Sequence, residues 1–117
     1  MNDEARQKIS DLLNWMYERQ YITSNNIKNH IDFTPLGLRF MADTFGENWD
    51  ISCWSNLVDS GSLWLPYPGF ENWSYIWYED WENHAEEYNS RLDLFINAIG
   101  ADILVNDDYI ELDDIVL

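Results

Sequence analysis

Charge is divided unevenly along this chain, and the division limits what it can fold into. Residues 1–42 carry five acids (Asp3, Glu4, Asp11, Glu18, Asp32) and five bases (Arg6, Lys8, Arg19, Lys28, Arg39), which cancel. Residues 43–117 carry seventeen acids against one base, Arg91, and hold the whole net charge of -16. Such self-repulsion works against a compact state, and solubility alone asks for a magnitude of only about 2 to 8. Yet the chain has seven Trp, seven Tyr and five Phe, and 46% of its residues are hydrophobic. Disordered acidic tails are poor in aromatics. The charge therefore belongs to a folded body, and 117 residues fit a single domain spanning 1–117.

The excess of one sign excludes some partners and suggests others. Nucleic acid and anionic membrane surfaces are themselves polyanions and would be repelled. General acidity, as in a halophilic proteome, would spread along the whole chain, whereas the first third is neutral. What remains is a charged interaction surface for a basic partner. The single cysteine, Cys53, allows no intrachain disulfide, which suits a reducing compartment. The opening MNDEARQK has no apolar stretch of signal type, and no run approaches the roughly 18 apolar residues of a membrane span. A cytoplasmic location is the expectation.

The apolar pattern predicts an α+β fold: several helices packed with a small antiparallel sheet. Asp3 is placed to cap a helix from Glu4 to about Arg19, with Ala5, Ile9, Leu12, Leu13 and Met16 at helical spacing. Ser24 is placed to cap a short helix carrying Ile27 and Ile31. Thr34-Pro35 marks a stronger start, followed by Leu38, Met41, Ala42 and Phe45, with Gly46 as the stop. Asp50 suggests a further helix with Ile51, Trp54, Leu57 and Val58, closed by Gly61, although the alternation of WDISCW also allows a strand. Pro66, Pro68 and Gly69 mark a loop between two short strands, SLWL and WSYIWY. A long helix is expected from about Asp80 to Ile99, with Ala85, Tyr88, Leu92, Phe95, Ile96 and Ile99 buried and Gly100 at its end. Two apolar runs flanking Asn106-Asp107-Asp108 suggest a closing hairpin.

On that long helix, at 100° per residue, Glu79, Glu82, Glu86 and Asp93 fall within about 60° of one another and cover roughly 21 Å at about 1.5 Å rise per residue. Asp80 and Glu87 lie on the opposite flank. Carboxylates three or four apart repel by a few tenths of a kcal/mol each. A solvated face is the plain reading, and the helix dipole favours acids near the start, but only Arg91 offsets the six. The hairpin adds Asp107, Asp108, Glu111, Asp113 and Asp114. These eleven acids are the expected partner-binding residues. A rigid row of carboxylates would attract the Lys and Arg side chains that answer DNA phosphates, and would speed association.

Most of the tryptophans are expected in the core. In WSYIWY, alternation puts Trp73, Tyr75 and Trp77 on one face and Ile76 and Tyr78 on the other, so one or two aromatics beside the acids are candidate exposed contacts. His30, His84 and Cys53 match no zinc spacing. The C-terminal acids lack the order and central Gly of an EF-hand. No nucleophile elbow, P-loop or dinucleotide fingerprint occurs, and no carboxylate pair stands out for glycoside chemistry. No enzyme activity, cofactor or metal is expected.

In its size, in the segment NWSYIWYEDWENHAEEY and in its acidic end NDDYIELDD, the chain resembles the bacterial DNA-mimic proteins, in particular the small acidic kind that binds the histone-like nucleoid protein HU. The resemblance implies the HU dimer as partner, with the acids standing in for phosphates against its basic DNA-binding surface, and association with the nucleoid through that partner. A monomer is the expectation, because like-charged subunits repel. DNA mimics share no common fold, and no residue role carries over by motif. The alternative is another acidic inhibitor of a nucleic-acid enzyme: an immunity, anti-restriction or anti-CRISPR type protein, for which the same electrostatics serve.

Overall fold

The first helix, α1 (Asp3–Glu18), forms where the apolar spacing places it, and the expected five side chains, Ala5, Ile9, Leu12, Leu13 and Met16, are its buried set. Its cap is Asn2 rather than Asp3: the Asn2 Oδ1 accepts from the Ala5 N–H at 2.9 Å. Asp3 instead sits in the first turn, where the helix dipole favours an acid. At the other end the Gln20 N–H bonds to the Tyr17 carbonyl and the Tyr21 N–H to the Met16 carbonyl, with Gln20 at φ 65°. That is the double closure of a Schellman motif, and it turns the chain back along the helix. The computed structural model describes residues 2–46, 49 and 56–103.

No helix follows Ser24. Its Oγ accepts from the Asn26 N–H at 3.1 Å and from Asn29 Nδ2 at 2.9 Å, and the Asn26 side chain accepts from the Lys28 N–H. These local bonds offer the backbone an alternative to a helical turn. Ile31 lies instead on a two-residue strand, β1 (Ile31–Asp32). Thr34 does cap the next helix, α2 (Pro35–Phe45), accepting from the Gly37 N–H at 3.0 Å. Met41 and Phe45 are buried, Leu38 is half-buried and Ala42 is exposed. Gly37 is where α2 meets the end of α1: a Cβ there would stand 1.9 Å from the Tyr21 carbonyl oxygen.

Leu57 and Val58 lie on strand β2 (Asn56–Asp59), not on the helix expected from Asp50. The deciding element is the turn Ser60-Gly61, whose φ values of 49° and 87° suit the type I′ hairpin turn. Gly61 thus joins β2 to β3 (Ser62–Pro66) instead of ending a helix. Asp50, Ile51 and Trp54 lie outside the described residues. The strands expected at SLWL and WSYIWY are β3 and β4 (Trp73–Trp77). All four strands pair antiparallel in the order β1-β2-β3-β4. Every residue of β3 is buried, so both of its faces are covered. Phe45 of α2 meets Trp73 edge-on at 4.9 Å, and Trp73 stacks on Trp64 at 4.6 Å.

The long helix expected from Asp80 is two elements. Tyr78–His84 is a 3-10 helix, and α3 (Ala85–Ala98) begins only after it. The Tyr78 N–H bonds to the Gly61 carbonyl at 3.0 Å, which holds the segment against the hairpin turn. Trp81 is buried three residues on, its indole N–H donating to Asn89 at 3.0 Å; a three-residue period suits that spacing. On α3 the buried set is Arg91, Leu92, Phe95 and Ile96. Ala85 and Tyr88 are half-buried, Ile99 is buried, and Gly100 follows at φ 71°. The described residues form one α+β domain with a single core cluster. The hairpin expected around Asn106 lies outside them.

Candidate partner-binding surface

The switch from 3-10 to α-helix decides how the acids are displayed. Glu79, Asp80 and Glu82 belong to the 3-10 segment, and Glu86, Glu87 and Asp93 to α3. A 3-10 helix repeats every three residues, so Glu79 and Glu82 lie in one row, while Glu86 belongs to a helix of different period. The expected straight stripe at one angular step is therefore replaced by an acidic row running into an acidic first turn of α3. Glu79, Glu82, Glu86 and Glu87 are exposed, and Asp80 is half-buried. Asp107, Asp108, Glu111, Asp113 and Asp114 lie outside the described residues.

Asp93 differs from the others. Its carboxylate sits 3.2 Å from Lys8 Nζ of α1, tying the first helix to the last. Burial raises its pKa, while the charge and hydrogen bond of Lys8 pull it down. Lys8 also lies 3.9 Å from Glu4. This part of the acidic helix therefore has a basic neighbour from the charge-balanced N-terminal third.

Arg91 offsets one exposed acid, Glu87, and otherwise faces inward. It is 3% exposed, and its guanidinium donates to the carbonyls of Leu65 (2.8 Å), Pro66 (3.1 Å) and Ser74 (3.2 Å) and to the Ser74 hydroxyl. The Tyr67 ring covers it at 3.9 Å. Burial lowers its pKa from that of a free guanidinium, and Tyr67 and Glu87 act the other way. Among the described residues Glu87 is the one acid within ion-pair range, at 3.8 Å. The sole base after residue 42 thus ties the β3–β4 connection to α3.

A second group of acids comes together through strand pairing. His30 bridges two carboxylates, with Nε2 3.0 Å from Asp32 and Nδ1 3.2 Å from Asp59. The Asp59 hydrogen bond is the main cause of its raised pKa; desolvation, the next in size, opposes it, and the charge and hydrogen bond of Asp32 add to the rise. Tyr75 lies close by; burial, then Asp59 and Asp32, push its hydroxyl up to about 12. Asp59 pairs with Ser62, and Ser62 with Trp77, so Asp59 and Trp77 share a face of the sheet. Trp77 is 43% exposed. Sequence reading passed over Asp32 and Asp59, since only the β1–β2 register joins them. The Ser60-Gly61 turn was the available signal.

Beside Trp77 the surface is concave. One cleft of about 510 Å³ is lined by Arg6, Ile27, Lys28, Gly61, Tyr78 and Glu79. A smaller one of about 290 Å³ adjoins it through Gly61, Tyr78 and Glu79 and extends to Trp77. Burial also raises the pKa of the Tyr78 hydroxyl, which has no hydrogen-bond partner among the described residues. Among those residues no group of three or more His, Cys, Asp or Glu could hold a metal ion, and no helix is long and apolar enough to cross a membrane. Compared with protein-family models, with curated proteins and with solved structures, the chain matches none.

Proposed function

We propose that this protein is a DNA mimic: it presents carboxylates to the basic DNA-binding surface of a nucleoid protein, with the HU dimer as the expected partner, and competes with DNA for that surface. The observation that carries this reading is the combination of exposed Glu79, Glu82, Glu86 and Glu87 on consecutive helical segments with burial of Arg91, the only base after residue 42. DNA attracts Lys and Arg because its phosphates are dense and fixed. Carboxylates mounted on helices offer charges of the same sign on a scaffold that holds its shape. Like-charge crowding weakens the helix by a few tenths of a kcal/mol per pair, and a basic partner would relieve that repulsion. The field of the whole chain would also raise the encounter rate. Trp77 adds an aromatic face beside Glu79, suited to a guanidinium. Size-exclusion chromatography of a mixture with purified HU tests the reading. Co-elution at low salt that is lost at high salt supports it; separate elution at every salt concentration rejects it.

A further inference from the structure

The two adjoining clefts form one groove of mixed charge on a chain that is otherwise strongly acidic. Of the six bases, Lys8 and Arg91 are ion-paired and Arg19 lies over the Trp15 ring at 4.0 Å. Arg6, Lys28 and Arg39 have no ion pair among the described residues. Two of those three, Arg6 and Lys28, line the same cleft. They come from α1 and from the turn before β1, far apart in sequence. Glu79 lines the cleft too and leads, past Gly61 and Tyr78, to the exposed ring of Trp77. The groove thus gathers two cations and Glu79 in its larger part and Glu79 and Trp77 in its smaller part, and the larger part falls within the roughly 300–1,000 Å³ typical of ligand sites.

We infer that this groove receives a short segment of a partner protein in which a basic side chain lies close to an acidic one, the acid meeting Arg6 and Lys28 and the base meeting Glu79 and Trp77. Charge complementarity selects this occupant. A purely basic segment would be opposed by Arg6 and Lys28, and a purely acidic one by Glu79 and by the net charge of -16. An arginine suits the basic position because its planar guanidinium stacks on an indole and pairs with a carboxylate at its edge. The groove would give an otherwise general cation binder a register on its partner. The inference does not rest on DNA mimicry and stands or falls separately.

The test compares two capped peptides, Ac-Arg-Ala-Asp-NH2 and Ac-Arg-Ala-Asn-NH2, by NMR titration of the full chain, following the Gly61 amide and the Trp77 indole N–H. A uniform attraction to an acidic protein favours the Asn peptide, which keeps one net positive charge. The groove predicts the reverse: the Asp peptide binds about fivefold tighter, a gap of about 1 kcal/mol, and the preference disappears in an Arg6→Gln, Lys28→Gln double variant whose circular dichroism is unchanged. Equal or tighter binding of the Asn peptide, persistence of the preference in the double variant, or no shift of either reporter by either peptide at about 5 mM, equivalent to roughly 3 kcal/mol, overturns the inference.

Discussion

Arg91 lies over the ring of Tyr67, with Cζ 3.9 Å from its centre, so a residue of α3 is enclosed by the loop between β3 and the edge strand β4. The same guanidinium ties down the carbonyls of Leu65, Pro66 and Ser74. Replacing it by alanine removes these charge-assisted bonds, each worth about 1.5–3 kcal/mol where water cannot take the donor's place. Arg91→Ala is therefore expected to lose about 3 kcal/mol and to lower Tm by on the order of 10 °C. Arg91→Lys keeps the charge and loses the planar fork, so it should recover only part of that. Thermal melts followed by circular dichroism check both. A loss below about 0.5 kcal/mol for Arg91→Ala, the range of an ordinary surface change, contradicts the assignment.

Of the five glycines, only Gly37 has a neighbour within 4 Å of where a Cβ would stand. A Cβ there would stand 1.9 Å from the Tyr21 carbonyl oxygen, a backbone atom that cannot turn aside. Gly37→Ala should cost about 1–3 kcal/mol through overpacking, although alanine is the better helix former. Urea denaturation should show a lower midpoint at unchanged m-value.

Much of this architecture is legible in the residues, and what is not legible is non-local. The buried face of α1 and the Thr34-Pro35 start of α2 depend on spacing within one helix and on cap chemistry at one residue. The strands at SLWL and WSYIWY are marked by β-favouring side chains and the Pro-Gly loop between them. By contrast, β1 exists because it pairs with β2, and β2 because it pairs with β1 and β3, and the helical spacing of Leu57 and Val58 gives no hint of that. The start of the 3-10 segment is tied by a hydrogen bond from Tyr78 to Gly61, a residue of the hairpin turn seventeen positions earlier. Acidity of the surface is visible in composition alone. Its details are not: Arg91 reads as one more surface charge until carbonyls from two strands surround it, and the His30–Asp32–Asp59 group waits on strand register.

That group has a pH dependence of definite sign. The folded protein raises the pKa of His30 above the ordinary 6.5. A raised folded-state pKa means that protonated His30 stabilises the fold fully below the unfolded value, and that this contribution is lost as pH rises through the folded value. NMR titration of the His30 ring should give a pKa above 6.5, and Asp59→Asn should lower it, since the Asp59 hydrogen bond is the largest cause of the shift. No response of His30 to Asp59→Asn contradicts the bridge.

Asp93 and the exposed glutamates should separate in their effects. The Lys8–Asp93 contact joins α1 to α3 and is partly screened by water, so a double-mutant cycle of Lys8→Met with Asp93→Asn should give a coupling of about 0.5–1 kcal/mol. Asp93→Asn should leave HU binding nearly unchanged. Glu82→Lys with Glu86→Lys should weaken HU binding about tenfold or more, and the salt dependence should become shallower. Calorimetric titration at two salt concentrations measures both variants on the same scale.

The most direct test of the central claim is competition for HU. A fluorescently labelled DNA duplex bound to HU has high anisotropy, and added protein that occupies the DNA-binding surface returns it to the free value. The account predicts full displacement by the native chain, and displacement weakened by about a hundredfold, or about 3 kcal/mol, in a folded variant with Glu79, Glu82, Glu86 and Glu87 all changed to Lys. Failure of the native chain to displace DNA, or equal displacement by the charge-reversed variant, contradicts it.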